Sequence, residues 1–345
     1  LGLAAAGLYQ WLIATPASPV ATVNNVPIRT DTYQRWVQYR RYDVRTALAR
    51  VRSQLTQLDP NDPDQEPLVN LLTQQQQELQ GQAMTLPMTT LDELIDAELI
   101  RQEAARRGLT VTPEEVWAEI EQLFGYNLPQ PTEAPTPITA TTPITATPYP
   151  TEEPMTEEEF RQSYAGYLQA VRKNAGFSEA DLRTLVETSL LRSKLQEAMA
   201  ADVPTVAEQV HARHILVEKE EDARAALERI RQGEDFAAVA KEVSTDTSTK
   251  DEGGDLGWFP RGATVDEFEA VAFALEVGQV SDLVETDYGF HIIKVDERDP
   301  SRPLAESMLL ERQSRALEDW LSAQRQSAAV KRFWSLDKVP EEPSR

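Results

Sequence analysis

Two periodicities divide the chain. Through the first two hundred residues the apolar positions recur at steps of three and four, the spacing of amphipathic helices. Tyr33, Trp36, Val37, Val44, Leu48, Val51, Leu55 and Leu58 mark one long helix capped at Thr30 or Asp31 and stopped by Asp59-Pro60-Asn61-Asp62-Pro63. A Gln-rich helix over 66–82 and another over 90–107, closed by Gly108, are expected next. Thr112-Pro113-Glu114-Glu115 sets a cap, a first-turn Pro and a capping-box Glu before Val116, Ile120 and Leu123. Thr156 with Glu159 repeats the box, and Ser178 starts a helix with the stripe Leu182, Leu185, Val186, Leu190, Leu195. Ahead of these helices, Val20 to Ile28 alternates weakly and turns at Asn24-Asn25, residues that tolerate positive φ.

From Val210 onward the pattern is mixed. Gln209 to Val217 reads as a strand, and Ala223, Leu227 and Ile230 as a helix stripe ended by Gly233. Phe236, Val239, Ala240 and Val243 give a second helix, and Gly253-Gly254-Asp255-Leu256-Gly257 a tight turn into a short strand. Phe268, Val271, Ala272 and Leu275 give a third helix, and Phe290 to Val295 a closing strand. This β-α-α-β-α-β order in about 90 residues suits a compact α+β domain. A last amphipathic helix runs from Leu304 to about Val330, before a tail rich in Pro and Glu.

Composition changes the picture at both ends and in the middle. The net charge of -23 argues against nucleic acid, whose phosphates call for Lys and Arg, and suits a soluble binder of basic or apolar polypeptide. The absence of cysteine removes disulfides, thiolate nucleophiles and zinc ribbons together. Residues 1–14 are apolar but too short alone to span a bilayer, which takes roughly 20 residues. They read as part of a membrane anchor, as an ordinary buried helix or as a signal remnant; the Pro-containing spacer behind them favours the anchor. Residues 129–155 form a Pro/Thr-rich insertion with Pro-Ile-Thr-Ala-Thr repeated at Pro137 and Pro143, read as extended and flexible, either a plain linker or a glycosylated tract.

The chain has three histidines, at 211, 214 and 291. On one strand, residues three apart face opposite ways, so His211 and His214 do not share a site and a zinc reading is poor. His214 shares a face with Val210, Ala212 and Leu216, and His291 with Ile293 and Val295. If the two strands are neighbours, both imidazoles meet on the sheet, either as core residues or as one site. Asp246 alone reads equally as a turn or cap residue.

Five segments then occur in order: His214-Ile215-Leu216-Val217, Ser244-Thr245-Asp246, Gly253-Gly254-Asp255-Leu256-Gly257, Phe268-Glu269 with Ala272-Phe273-Ala274-Leu275, and Gly289-Phe290-His291-Ile292-Ile293. This set resembles the parvulin (PpiC-type) peptidyl-prolyl cis/trans isomerases across residues 208–298. The resemblance implies a four-stranded antiparallel sheet wrapped by helices, no cofactor and no metal. Position by position it makes His214, Asp246 and His291 the catalytic group, with Asp246 facing the isomerising bond. It places Leu256, Thr264, Phe268, Phe273, Thr286 and Tyr288 around the substrate, Thr286 through the histidine hydrogen bonds. Thr264 stands where many relatives have Met, and Tyr288 where Ser is common. His211 has no catalytic counterpart and reads as structural. Glu218-Lys219-Glu220-Glu221-Asp222 repels phosphate, so the resemblance is to an enzyme that is not phospho-directed.

The wider organisation is similar to the exported SurA/PrsA-type chaperone-isomerases. It implies a helical chaperone-like domain over 20–200, interrupted by the insertion, then the isomerase domain. A C-terminal helix within 301–345 is expected to pack back on the helices through Leu309, Leu310, Leu317 and Trp320. Implied partners are unfolded or nascent exported polypeptides with X–Pro bonds, handled outside the cytoplasm beside a membrane. An enzyme and a holdase with a weakly active isomerase domain both fit; Thr264 favours the second, and the intact His214, Asp246, Phe268, Phe273 and His291 the first.

Overall fold

The computed structural model describes residues 17–59, 62–126, 155–327 and 329–341. Residues 1–14 and nearly all of the 129–155 tract therefore lie outside the described residues. The chain divides into two compact units, one of Leu1–Met199 with Ala316–Arg345 and one of Ala200–Arg315.

The first unit begins with a hairpin of β1 (Pro19–Val23) and β2 (Val26–Arg29), in which Val23 pairs Val26. Asn24 and Asn25 both adopt left-handed φ, at 49° and 66°, the backbone that a two-residue hairpin turn requires. Helix α1 (Thr30–Leu55) follows and lies along α2 (Glu66–Arg106). Helix α3 (Pro113–Leu123) and helix α4 (Glu157–Ala175) both start in complete capping boxes, at Thr112/Glu115 and Thr156/Glu159. Before α5 (Glu179–Asp202), the Ser178 hydroxyl and the Asp181 carboxylate cap each other's backbone N–H in the same manner.

Two expected helices are one. Pro87 lies inside α2, where it removes a backbone donor and ought to end the helix. Local and tertiary bonds hold the segment helical instead. Thr89 Oγ1 donates to the Thr85 and Leu86 carbonyls at 3.3 Å, and the buried Tyr33 hydroxyl donates to the Pro87 carbonyl at 3.0 Å. Leu86, Thr90, Leu91 and Leu94 on either side are buried, so packing offsets the lost bond.

The same core receives α9 (Glu306–Gln326) at its C-terminal end. Leu317 and Leu321 are fully buried there, and Trp320 packs against the cluster. Each buried leucine contributes about 1.5–3 kcal/mol. Arg325 adds a two-pronged ion pair to Asp96 of α2 at 2.7 and 2.6 Å. Leu310, expected among these contacts, is 58% exposed instead. The charged tail contains β7 (Val330–Arg332), which sequence periodicity does not reveal. It pairs antiparallel with β1 and completes a sheet in the order β2-β1-β7.

The second unit is an antiparallel sheet in the order β4-β3-β6-β5, formed by β3 (Val206–Val217), β4 (Asp255–Pro260), β5 (Val284–Thr286) and β6 (Gly289–Pro303). One face packs Ile215, Val217 and Ile292 against α6 (Glu220–Arg231) and α7 (Phe236–Val243). The other packs Val210, Ala212, Ile293 and Val295 with Phe259, and with Phe268 and Ala272 of α8 (Asp266–Ala272). Periodicity missed β5, which has only three residues.

Gly254 sets how closely the loop before β4 approaches β3. Its φ is +76°, its carbonyl accepts the His214 N–H at 2.8 Å, and a Cβ there would lie 2.0 Å from the His214 carbonyl oxygen. Gly257 has a similar φ of +68° with open space around it. Gly257→Ala is therefore expected to cost about 1–2 kcal/mol, the penalty of the left-handed backbone alone. Gly254→Ala adds a clash with backbone and should cost at least 3 kcal/mol. Urea unfolding of both variants checks this; equal costs would remove the close-approach argument.

Candidate functional site

The site grows from the register between β3 and β6. His214 pairs with Ile293 and Leu216 with His291, so the two histidines are diagonal neighbours on one sheet face. Both are buried, at 6% and 5% exposure. Their Nδ1 atoms are 3.2 Å apart, and their rings lie nearly parallel, 22° between planes. Phe268 of α8 meets both rings edge-on, with centroids 5.8 and 5.4 Å away.

Each outer ring nitrogen has its own partner. Asp246 Oδ2 lies 2.7 Å from His214 Nε2, and Thr286 Oγ1 lies 2.9 Å from His291 Nε2. Asp246 also accepts from Thr249 Oγ1 and Ser248 Oγ, both at 2.6 Å, and from the Ser248 N–H at 3.0 Å. Burial opposes ionisation of Asp246, but the bonds from Ser248, Thr249 and His214 outweigh it and hold the carboxyl well below the usual range. Burial, reinforced by the neighbouring His214, pushes the His291 imidazole down to about 4, although Asp246 pulls the other way.

The carboxylate only accepts, so His214 Nε2 is the donor to Asp246. One proton then lies between the two Nδ1 atoms. Carried on His291, it leaves His291 Nε2 to accept from the Thr286 hydroxyl. With one further proton on the pair, His214 carries it on Nδ1 as an imidazolium and His291 holds its own proton on Nε2, donating to Thr286, whose hydroxyl then turns to the Gly289 carbonyl at 3.4 Å. Thr286 serves either direction because a hydroxyl both gives and takes, and the Tyr288 N–H at 3.1 Å fixes its oxygen.

Above the histidines opens a cavity of about 400 Å³, lined by both rings with Leu256, Thr264, Phe268 and Tyr288. Gly262, Ala263 and Val265 complete its wall, residues that sequence reasoning did not single out. The Glu269 carboxylate accepts the Gly262 N–H and ties this loop to α8. Tyr288 is 70% exposed at the rim. Three expected site residues do not line the cavity. Asp246 and Thr286 stand behind the histidines as their hydrogen-bond partners. Phe273 lies buried in the core, edge-on to Phe259 and under Arg261, 4.1 Å from the ring centre. Thr249 and Ser248 were missed, although a hydroxyl two or three residues after an Asp is the signature of a self-bonded turn.

His211 belongs to a separate cluster. Its Nε2 lies 2.7 Å from Asp255, which Arg213 also bonds at 3.2 Å, and its ring stacks on Trp258. It shares Asp255 with Arg213 and so lies on the face of β3 opposite His214, as strand alternation requires.

A helical module completed by a distant helix, and a four-stranded sheet bearing paired histidines under an apolar cavity, define the class. Residues 206–297 match the family described as the PPIC-type PPIASE domain, and residues 1–128 match the SurA-like N-terminal domain. The chain is 36% identical over 204 residues to the foldase protein PrsA of Caldanaerobacter subterraneus subsp. tengcongensis, covering 59% of this chain and 55% of that protein. It is 48% identical over 93 residues to foldase protein PrsA 3 of Bacillus anthracis, covering 27% and 33%. The chain thus spans about half the length of the first of these curated relatives. Among solved structures it is similar to NmPin, the parvulin of Nitrosopumilus maritimus, at 40% identity over 26% of this chain and 98% of that one, with a TM-score of 0.25.

Two predictions follow from the site's geometry. Thr264 Oγ1 is buried with no hydrogen-bond partner among the described residues. Thr264→Val removes that unpaired hydroxyl at constant shape and should raise stability by about 1 kcal/mol in thermal melts; a loss would mean the hydroxyl is bonded. Because His291 takes up its proton near pH 4 in the folded chain but near 6.5 when unfolded, the unfolded state binds more protons between those values. This stabilising contribution is complete above pH 6.5 and is lost as pH falls towards 4. Imidazole NMR should give His291 a midpoint well below 6.5, and a midpoint at 6.5 would sink the assignment.

Proposed function

We propose that the chain is a peptidyl-prolyl cis/trans isomerase and folding chaperone for exported or membrane-associated polypeptides. The observation that carries this reading is the cavity floored by His214 and His291 and backed by Phe268, in a domain of PpiC type. Rotation about an X–Pro bond faces a barrier of roughly 18–20 kcal/mol from C–N double-bond character. A proline ring seated against Leu256, Thr264 and Phe268 is held in a poorly hydrated pocket while the preceding carbonyl swings. Poor solvation disfavours the charge-separated resonance form and so lowers the barrier; each 1.36 kcal/mol removed is about tenfold in rate.

No covalent step is needed. The ionised Asp246 spends its oxygens on His214, Ser248 and Thr249, so its role is to fix the first imidazole, and Thr286 fixes the second. Phe273 supports α8 from behind, and Tyr288 offers an aromatic rim to the residues flanking proline. The acidic stretch Glu218 to Asp222 supports a preference for unphosphorylated substrates. The helical module suits the holding of unfolded chains, as the relatives named foldase do in name. An extracytoplasmic location follows from that kinship, and the apolar residues 1–14 support anchoring at a membrane; among the described residues no helix is long and apolar enough to cross one.

The test is the cis-to-trans rate of a short unphosphorylated X–Pro peptide with the full chain. Wild type should accelerate it. Asp246→Ala and His291→Ala should each lower kcat/KM by about 10- to 100-fold, equivalent to about 1.4–2.7 kcal/mol. Thr264→Met, which extends the apolar wall, should raise it several-fold. No acceleration by a folded wild-type chain would overturn the isomerase reading.

A further inference from the structure

Helix α1 carries a line of hydrogen-bond donors that the site above does not use. Gln34, Gln38 and Arg41 recur at steps of four and three, and so form one stripe along the helix. The stripe grips the segment that follows β7. Gln34 Nε2 donates to the Lys338 carbonyl at 3.1 Å and Gln38 Nε2 to the Glu341 carbonyl at 2.9 Å. Arg41 Nη1 donates to the carbonyls of Pro340 at 2.7 Å and Glu341 at 3.4 Å. All three acceptors are backbone oxygens, which every peptide carries.

The held segment adds little recognition through its own side chains beyond Trp334 and Lys338. Leu336 is 79% exposed, and Glu341 also faces solvent. Val339 is extended, with φ -73° and ψ 128°, the conformation that a following proline imposes. Gln38 Oε1 is buried with no partner among the described residues. The Gln38 amide therefore donates to the segment through Nε2 while its buried oxygen accepts nothing. Pro340 has no N–H to offer.

We propose that the Gln34–Gln38–Arg41 face of α1 is a docking site for extended X–Pro polypeptide segments, occupied here by the chain's own Lys338–Glu341, which a client segment displaces. Backbone carbonyls supply the affinity, so the site tolerates many sequences. A proline favours binding because it holds the preceding residue extended before contact and lowers the ordering cost. The tethered tail competes as an intramolecular ligand at high effective concentration, so only clients presented at comparable local concentration gain access. The site stands independently of the isomerase reading.

The test uses the full chain and a variant stopped after Leu336, which keeps β7 and Trp334. Two fluorescein-labelled peptides are titrated by fluorescence polarisation. One spans residues 335–345; the other keeps its two prolines and replaces every other residue with Ala or Ser. Both should bind the shortened chain at least tenfold more tightly than the full chain. Gln38→Ala with Arg41→Ala in the shortened chain should abolish at least tenfold of that gain. A shortened chain with unchanged circular dichroism and melting but no gain would overturn the proposal, as would a gain that survives the double substitution. If shortening unfolds the protein, the full-length Arg41→Ala variant decides: trypsin should cleave after Lys338 several-fold faster than in wild type, and an unchanged rate refutes the grip. X–Pro isomerisation measured in the same samples should be unchanged, so a dead isomerase and an empty α1 site are told apart.

Discussion

Eleven Cα pairs join β3 to β6, from Val206 opposite Pro303 to Val217 opposite Phe290, and every distance at the histidine pair depends on that register. A slip of one residue between the two strands would put His214 and His291 on opposite faces of the sheet. The slip is opposed from both sides. Ile215 and Ile292 are fully buried under α6 and α7, while Ile293 and Val295 are fully buried with Phe259 and Phe268. The cost of exposing these side chains pins the strands, and the pinned strands place two imidazoles within 3.2 Å. Gly254 and Gly289 serve the same end, since each admits a backbone approach to β3 that a side chain would block.

The hydrogen bonds radiating from the pair show why its members are hydroxyls and a carboxylate rather than stronger bases. Asp246 is saturated by four donors, so it is a fixed charge and not a mobile base. Thr286 can reverse direction without moving. The pair thus has a rigid end and an adjustable end, and the adjustable end lies on β5, next to the exposed Tyr288 at the cavity rim.

The sequence made the parvulin unit legible because its signals are local and mutually consistent: alternating strands, capped helices, and glycines at turns. Strand alternation lets His214 and His291 meet only if their strands are neighbours, and β3 and β6 are paired. What escaped had no local signature. β5 has three residues, and β7 lies in a charged tail; each is a strand only because a partner waits for it. Helices are expected separately over 66–82 and 90–107, and Pro87 lies between them; the Tyr33 hydroxyl that bonds its carbonyl and helps keep them one helix is distant in sequence. Position alone also set Asp246 beside the substrate; that its oxygens are spent on His214, Ser248 and Thr249 emerges only from side-chain geometry.

The pairing of β1 with β7 has a consequence in time. Val23 lies opposite Val330, more than three hundred residues along the chain, and the same core needs Leu317 and Leu321. Synthesis delivers a polypeptide from its N-terminus. The helices up to Met199 therefore wait with an unpaired strand edge and an unfilled core, while residues 200–315 already hold everything their own sheet requires. The unit of residues 200–315 matures first, on a tether whose two flanks are not yet joined, and the helical module closes last.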